Sequence, residues 1–398
     1  MSLPSKADFL LDPDIHFLNH GSFGACPRPV FEAYQRWQME LERQPVEFLG
    51  RRATELLAES RAALAVYLGA ANDDVIYFPN PTTAINMVAR NVGRLAGDHG
   101  GSPLRLRPGD EILTTDHEYG ALDRTWRCVC AQIGARYVHR PIPLPVTTYT
   151  DFVERFWAGV TERTRIIFLS HITSPTALTF PVAEICRRAR AAGILTIVDG
   201  AHAPGQVSLN LTELGADIYT GACHKWLCAP KGAAFLYARP EVQAWLEPLV
   251  VSWGWEAERP GPSRFVDWHE WQGTRDLAAY LAVPAAIAFQ CEHNWDTVRR
   301  RCHRLAVATR RRIVELTDLP PICPDTWFSQ FFAARLPECD LDVLKARLYD
   351  EHRIEAPLIR WNGQSFIRVS FQAYNDEADA DALAQALAHL LPEVAREP

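Results

Sequence analysis

Between Ile194 and Trp226 the chain reads ILTIVDGAHAPG, then a linker, then DIYTGACHKW. A mostly apolar run ends in Asp199 and gives way at once to Gly200, Ala201 and His202. That pattern predicts a buried parallel strand delivering an acid to the carboxyl edge of a sheet, where α/β proteins bind ligands. A second strand-like segment ends at His224, Lys225 and Trp226. A carboxylate and an amine presented on neighbouring strand ends can grip two ends of one planar cofactor. The acid would keep a ring nitrogen protonated, and the amine would capture an aldehyde as an imine.

The elements that must position these groups follow a strand–loop–helix rhythm. Strands are expected at VIYFPN, DEILTTDHEYG, ARYVHRPI, RTRIIFLSHITSPT, ILTIVDG and KGAAFLYAR, the last of them antiparallel. Short connections between them predict a mostly parallel sheet covered on both faces. IHFLNHGSFG is a short strand and a glycine-punctuated loop, either wrapped around a ligand or a plain turn. PTTAINMVARNV is a helix entered through Thr82 and Thr83, whose hydroxyls and amides suit a phosphate; the same threonines suit a helix cap. Tyr119 closes a strand, placed either to stack on a ring or to be buried with its hydroxyl satisfied. Residues 97–109 read as a surface loop, and AAYLAVPAAIAF as one helix. From Leu249 to Trp271 the chain is dense in tryptophan, proline and glycine, as an aromatic loop over a site or a crossing between domains would be. The remainder mixes strands and helices as a compact α+β unit, with a boundary near residues 255–285.

Composition narrows the classes. The chain has 398 residues, 48% of them hydrophobic, enough for a large core in one large and one smaller domain. With 22% charged residues, a net charge of -7 and a sequence pI near 6.0, nothing favours nucleic acid or anionic lipid. The densest basic stretch, around residues 299–312, is expected to be the solvated face of a helix. Ten cysteines occur without paired CxxC motifs, so the expectation is reduced thiols, no metal and a cytoplasmic setting. No apolar run is long enough to span a bilayer, and no export signal is visible.

Taken together, NHGSFG, NPTTAIN, TTDHEYGA, SHITSPT, VDGAHAPG, CHKWLCAPKG, VSWGW, QGTRD and IRVSFQAYN resemble the pyridoxal-phosphate-dependent class V aminotransferase superfamily. The likeness is greatest to its isopenicillin N epimerase-like branch and covers nearly the whole chain. It implies an α/β fold of the type I pyridoxal-phosphate transferases, with a mostly parallel seven-stranded sheet and a smaller α+β C-terminal domain. The division it implies is an N-terminal arm at 1–20 packing with the small domain, a large cofactor-binding domain at 21–260 and a small domain at 261–398. It also implies a homodimer with active sites at the interface.

The resemblance assigns the cofactor aldehyde and the α-proton to Lys225, the pyridinium nitrogen to Asp199 and the phenolic oxygen to His202. Tyr119 takes the ring-stacking place often held by histidine in sulfur-transfer relatives. Thr82, Thr83 and His224 would hold the phosphate, with Thr274 reaching that of the neighbouring subunit. Arg368 would clamp the substrate carboxylate, with Asn19 and His20 on the near wall, and Ser174 lies where relatives often carry asparagine. The reactions implied are epimerisation first, then carbon–sulfur β-lysis, then transamination, with a non-catalytic cofactor-binding partner as a further reading. Inversion needs a second proton donor, for which Tyr119, His20 and His117 are candidates. Desulfurases need a cysteine on a loop shortly before the arginine, and HRIEAPLIRWNGQSFIR contains none. The tryptophans at 253, 255, 268 and 271 imply a substrate with a long or aromatic remainder.

Overall fold

The computed structural model describes residues 3–92 and 106–394. Most of the 97–109 stretch lies outside them. Seven strands form the central sheet: β2 (Val75–Phe78), β3 (Glu111–Thr115), β4 (Arg136–Arg140), β5 (Thr164–Ser170), β6 (Leu195–Asp199), β7 (Ile218–Ala222) and β8 (Ala234–Ala238). Their order is β2-β8-β7-β6-β5-β3-β4, and only β8 runs antiparallel to its neighbours. The architecture is therefore α/β with a mostly parallel seven-stranded sheet, parallel as the strand rhythm predicts and seven-stranded as the resemblance implies.

Strand periodicity explains why this sheet forms. In β5, Ile166 and Phe168 enter one apolar cluster while Ile167 and Leu169 enter the other. In β2, Ile76 and Phe78 face one side, and Val75 and Tyr77 the other. Successive side chains alternate faces, so strands apolar throughout must be covered on both sides. Helices such as Pro81–Val92, Gly120–Ile133 and Val182–Ala191 supply that cover.

A second sheet carries the C-terminal part, with β9 (Phe331–Leu336), β11 (Leu358–Trp361) and β12 (Gln364–Ser370) in the order β11-β12-β9, all antiparallel. The short β1 (His16–Phe17) pairs in parallel with β10 (Ile354–Glu355). The interval before Arg368 is thus folded into β10, β11 and β12.

Two expectations are revised by local chemistry. AAYLAVPAAIAF is two helices, Ala278–Leu281 and Val283–Glu292, because Pro284 has no N–H to continue a helix and suits the start of a new one. The basic stretch around 299–312 lies on the helix Trp295–Thr317, but Arg310 is buried instead of solvated, donating to the Cys323 carbonyl at 2.7 Å and to Asp325.

The residues expected as a glycine-punctuated loop form instead a short helical turn, His20–Phe23, which Gly24 ends with φ 71° and ψ 165°, a conformation open essentially to glycine alone. A Cβ there would lie 2.1 Å from the His224 carbonyl oxygen. Gly24→Ala is expected to lower the unfolding free energy by about 3 kcal/mol, combining backbone strain with that clash. The urea midpoint should fall at unchanged slope; an unaltered midpoint would show that the loop relaxes freely.

Candidate active site

Asp199 ends β6 and Lys225 follows β7, so adjacent parallel strands bring the acid and the amine to one carboxyl edge. Both line a single cavity, together with Ser22, Asn80, Thr82, Tyr119, Ser174, His202 and His224. Eight of the twelve residues assigned to the site from the sequence are therefore assembled there or, in the case of Arg368, just behind its wall: the lining does not include Arg368, but Ser22 and Ser174 on the wall are its direct hydrogen-bond partners.

Charge is distributed unevenly. Burial pushes the Asp199 carboxyl up, against the Ala201 amide, which donates to Oδ1 at 3.0 Å, and the nearby Lys225 charge. Burial lowers the Lys225 amine to about 8; Asp199 opposes this and Arg368 reinforces it. Arg368 is 5% exposed and burial brings its guanidinium down to about 10. It donates to the Ser174 carbonyl at 2.6 Å, the Ser174 hydroxyl at 3.2 Å and the Ser22 hydroxyl at 3.1 Å. Its Nε has no partner, and no carboxylate pairs with it among the described residues. A buried cation without an anion is costly, and a ligand carboxylate would relieve it.

The remaining residues divide between wall and support. Thr82 lines the cavity, whereas the Thr83 amide and hydroxyl donate to Asn80 Oδ1 at 2.8 and 3.1 Å as a helix cap. His224 bonds the Ala233 carbonyl through Nδ1 at 3.0 Å, and burial lowers it to about 4. Tyr119 is 45% exposed at the cavity edge. His20 is fully buried behind the site, with Nε2 at 3.0 Å from the Lys225 carbonyl and Nδ1 at 3.0 Å from the Tyr374 hydroxyl. Asn19 donates to Glu355 and accepts from Ser22 Oγ, so it acts on the wall through Ser22. His117 is buried between the Thr176 hydroxyl and the Ile142 carbonyl, away from the lining.

Thr274 is exposed and does not line this chain's cavity. Nor do the tryptophans of the 249–271 segment: Trp255 stacks on Trp268 with centroids 4.0 Å apart, and Trp253 is 86% exposed. Sequence reading missed Ser22 and Asn80, although both sit inside quoted motifs. It also missed Glu118, a buried acid outside the cavity lining, held by the Thr115 and Ser170 hydroxyls at 2.6 and 2.7 Å and raised by burial to about 7.

These residues fit pyridoxal phosphate on their own chemistry: an amine of lowered proton affinity, a buried acid with one oxygen engaged by an amide, and a threonine at the start of a helix. Because burial lowers the proton affinity of Lys225 in the folded protein, its acetylation in cofactor-free protein should reach half-maximal rate near pH 8. Peptide mass spectrometry across pH measures this, and a midpoint near the ordinary value of about 10 would refute the electrostatics.

A family model described as aminotransferase class-V matches residues 24–327. The isopenicillin N epimerase of Amycolatopsis lactamdurans is 37% identical over 394 residues, covering 96% of each chain. A probable chloroplastic L-cysteine desulfhydrase of Arabidopsis thaliana is 29% identical over 404 residues, covering 94% of this chain and 83% of its own. The apo structure of a cysteine desulfurase from Thermococcus onnurineus superposes with a TM-score of 0.83 at 20% identity, covering 99% of both chains, a likeness of fold alone. The chain belongs to the class-V aminotransferase family, in its isopenicillin N epimerase-like branch.

Proposed function

We propose that the chain is a pyridoxal-phosphate enzyme that inverts the α-carbon of an amino acid, or of a peptide ending in one. The observation that carries this reading is the meeting of Lys225, Asp199 and the anion-free Arg368 around one cavity. When bound, the cofactor supplies an aldehyde and a conjugated ring that draws electrons from a substrate α-carbon.

The chain's own groups do the rest. Lys225 Nζ, partly neutral near pH 8, takes and returns the α-proton on its face. Asp199 would hold the ring nitrogen in its protonated form, and Thr82 and His224 would hold the phosphate, with Thr83 fixing the turn through Asn80. His202 would face the ring oxygen. Arg368 matches a carboxylate with two parallel N–H groups and so sets which face of the α-carbon meets Lys225. Asn19 and Ser174 orient that arginine's surroundings, and His20 fixes the backbone of Lys225 from behind. Inversion needs a proton on the opposite face. Of the three candidates only Tyr119 lines the cavity, and we assign the role to it.

We further propose a cytoplasmic homodimer in which exposed Thr274 reaches the phosphate of the neighbouring subunit, with an arm at 1–20, a large domain at 21–260 and a small domain at 261–398. Ten free cysteines are in keeping with a reducing compartment. No helix among the described residues is long and apolar enough to cross a membrane. A carbon–sulfur β-lyase is the second reading, favoured by the desulfhydrase relative and by a lysine able to serve both proton transfers alone. Persulfide chemistry has no support, since no cysteine lines the cavity among the described residues.

Borohydride reduction of the cofactor-loaded protein should leave the added mass on the Lys225 peptide; finding it at Lys231 would overturn the assignment. In deuterium oxide, a substrate should gain deuterium at its α-carbon with inversion, whereas pyruvate and a free thiol would establish the lyase instead. Arg368→Lys should cut kcat/KM by roughly 10- to 100-fold through loss of the two-point clamp, and an unchanged value would place the carboxylate elsewhere.

A further inference from the structure

An indole nitrogen donates a hydrogen bond and cannot accept one. Trp226 is fully buried and points its Nε1–H at His202 Nδ1, 3.2 Å away. His202 must therefore accept at Nδ1. That excludes the imidazolium, which carries hydrogen on both nitrogens, and leaves the neutral ring with its proton on Nε2. Nε2 lies 3.2 Å from Lys225 Nζ. An Nε2–H can bond an amine that offers its lone pair, but an ammonium has none to offer. We propose that Trp226 is a positioning residue: by locking His202 in the Nε2–H tautomer it favours the free amine of Lys225 over the ammonium, to which His202 then offers no acceptor.

The surroundings close the alternatives. Turning the imidazole over would set the indole hydrogen and the lysine against ring carbons, leaving a buried donor unpaired. The indole cannot withdraw, because it packs against His20 at 4.9 Å and Phe331 at 5.2 Å. Its own carbonyl is held by Gln290 Nε2 at 2.9 Å, and a Cβ on Gly205 would lie 2.1 Å from that oxygen. Charging His202 would set a further cation beside Lys225 and Arg368; burial first, then Lys225 and Arg368, hold it far below its ordinary range. Asp199 is the one acid acting on Lys225 from this shell, and it favours the ammonium; Arg368 works with the indole against it.

A proton taken up by Lys225 then has no route to His202. It returns to the substrate carbon or leaves to solvent, so the lysine face of the reaction has a single carrier. That consequence rests on the role proposed for Lys225 above, whereas the tautomer does not.

Nitrogen-15 histidine spectra of the cofactor-free protein test the tautomer directly, with His202 identified by the resonance missing in His202→Gln. The wild-type protein should show hydrogen on Nε2 and a bare Nδ1 from roughly pH 6 to 9. Hydrogen on Nδ1, or an imidazolium at the acid end, would overturn the proposal without any need for a Trp226 variant to fold. In Trp226→Phe, the Nδ1–H form should emerge and the acetylation midpoint of Lys225 should rise by about one pH unit, the worth of one hydrogen bond to a charged group. The acid limb of the loaded enzyme's kcat profile should move the same way, and a folded variant with neither change would refute the lock. If the tautomer holds but no exchange occurs at any substrate α-carbon, the functional reading fails and the lock stands.

Discussion

Two basic side chains, Lys225 and Arg368, are set deep against a cavity whose lining, among the described residues, offers them one acid, Asp199. The protein alone leaves this deficit of negative charge uncorrected, since the arginine finds only neutral oxygens from Ser22 and Ser174. Burying charge without compensation is tolerated where a ligand completes the circuit. A phosphate and an α-carboxylate are the anions that would do so, at separate ends of the same space. Lowered proton affinity of the lysine follows from the same imbalance, so what makes the empty site costly is what makes its amine reactive.

The scaffold sustains that imbalance by supporting each reactive group from behind. His20 fastens the Lys225 carbonyl, the Trp226 indole governs His202, and Asn80 ties down the turn ahead of Thr82. Gly24 and Gly205 allow backbone to approach where any side chain would collide with the segment that carries the lysine. Precision at the amine therefore depends on segments far from it in sequence, held by close packing and short polar contacts.

Asp199 and Lys225 were legible because an apolar run that stops at a polar group marks a strand end, and strand ends are where such sheets work. Arg368 came with the resemblance, and its apolar flanks in IRVSF agree with the burial it has. The resemblance added the order of the motifs and with it a role for His224. What sequence could not show was direction. His20 and His117 have the right chemistry, yet one faces the Lys225 carbonyl and the other the Ile142 carbonyl. Thr82 and Thr83 are neighbours, but a helix turns each residue about 100° from the last, so one meets the cavity and the other its cap. The tryptophans of 249–271 read as a loop over a site or a crossing between domains; in the fold Trp255 packs on Trp268, Trp253 faces outward and Trp271 packs against the core.

The pairing of β1 with β10 has a bearing on how the protein comes into being. Asn19 meets Glu355 across 336 positions, and Ser22 meets Arg368 over a similar span. During synthesis, the helical turn that walls the cavity emerges hundreds of residues before the strands that receive it. Contacts this distant are slow to form, because a long loop must close first. The earliest of these segments to leave the ribosome is thus among the last to settle, and a nascent chain cannot hold its site closed until the tail end is free.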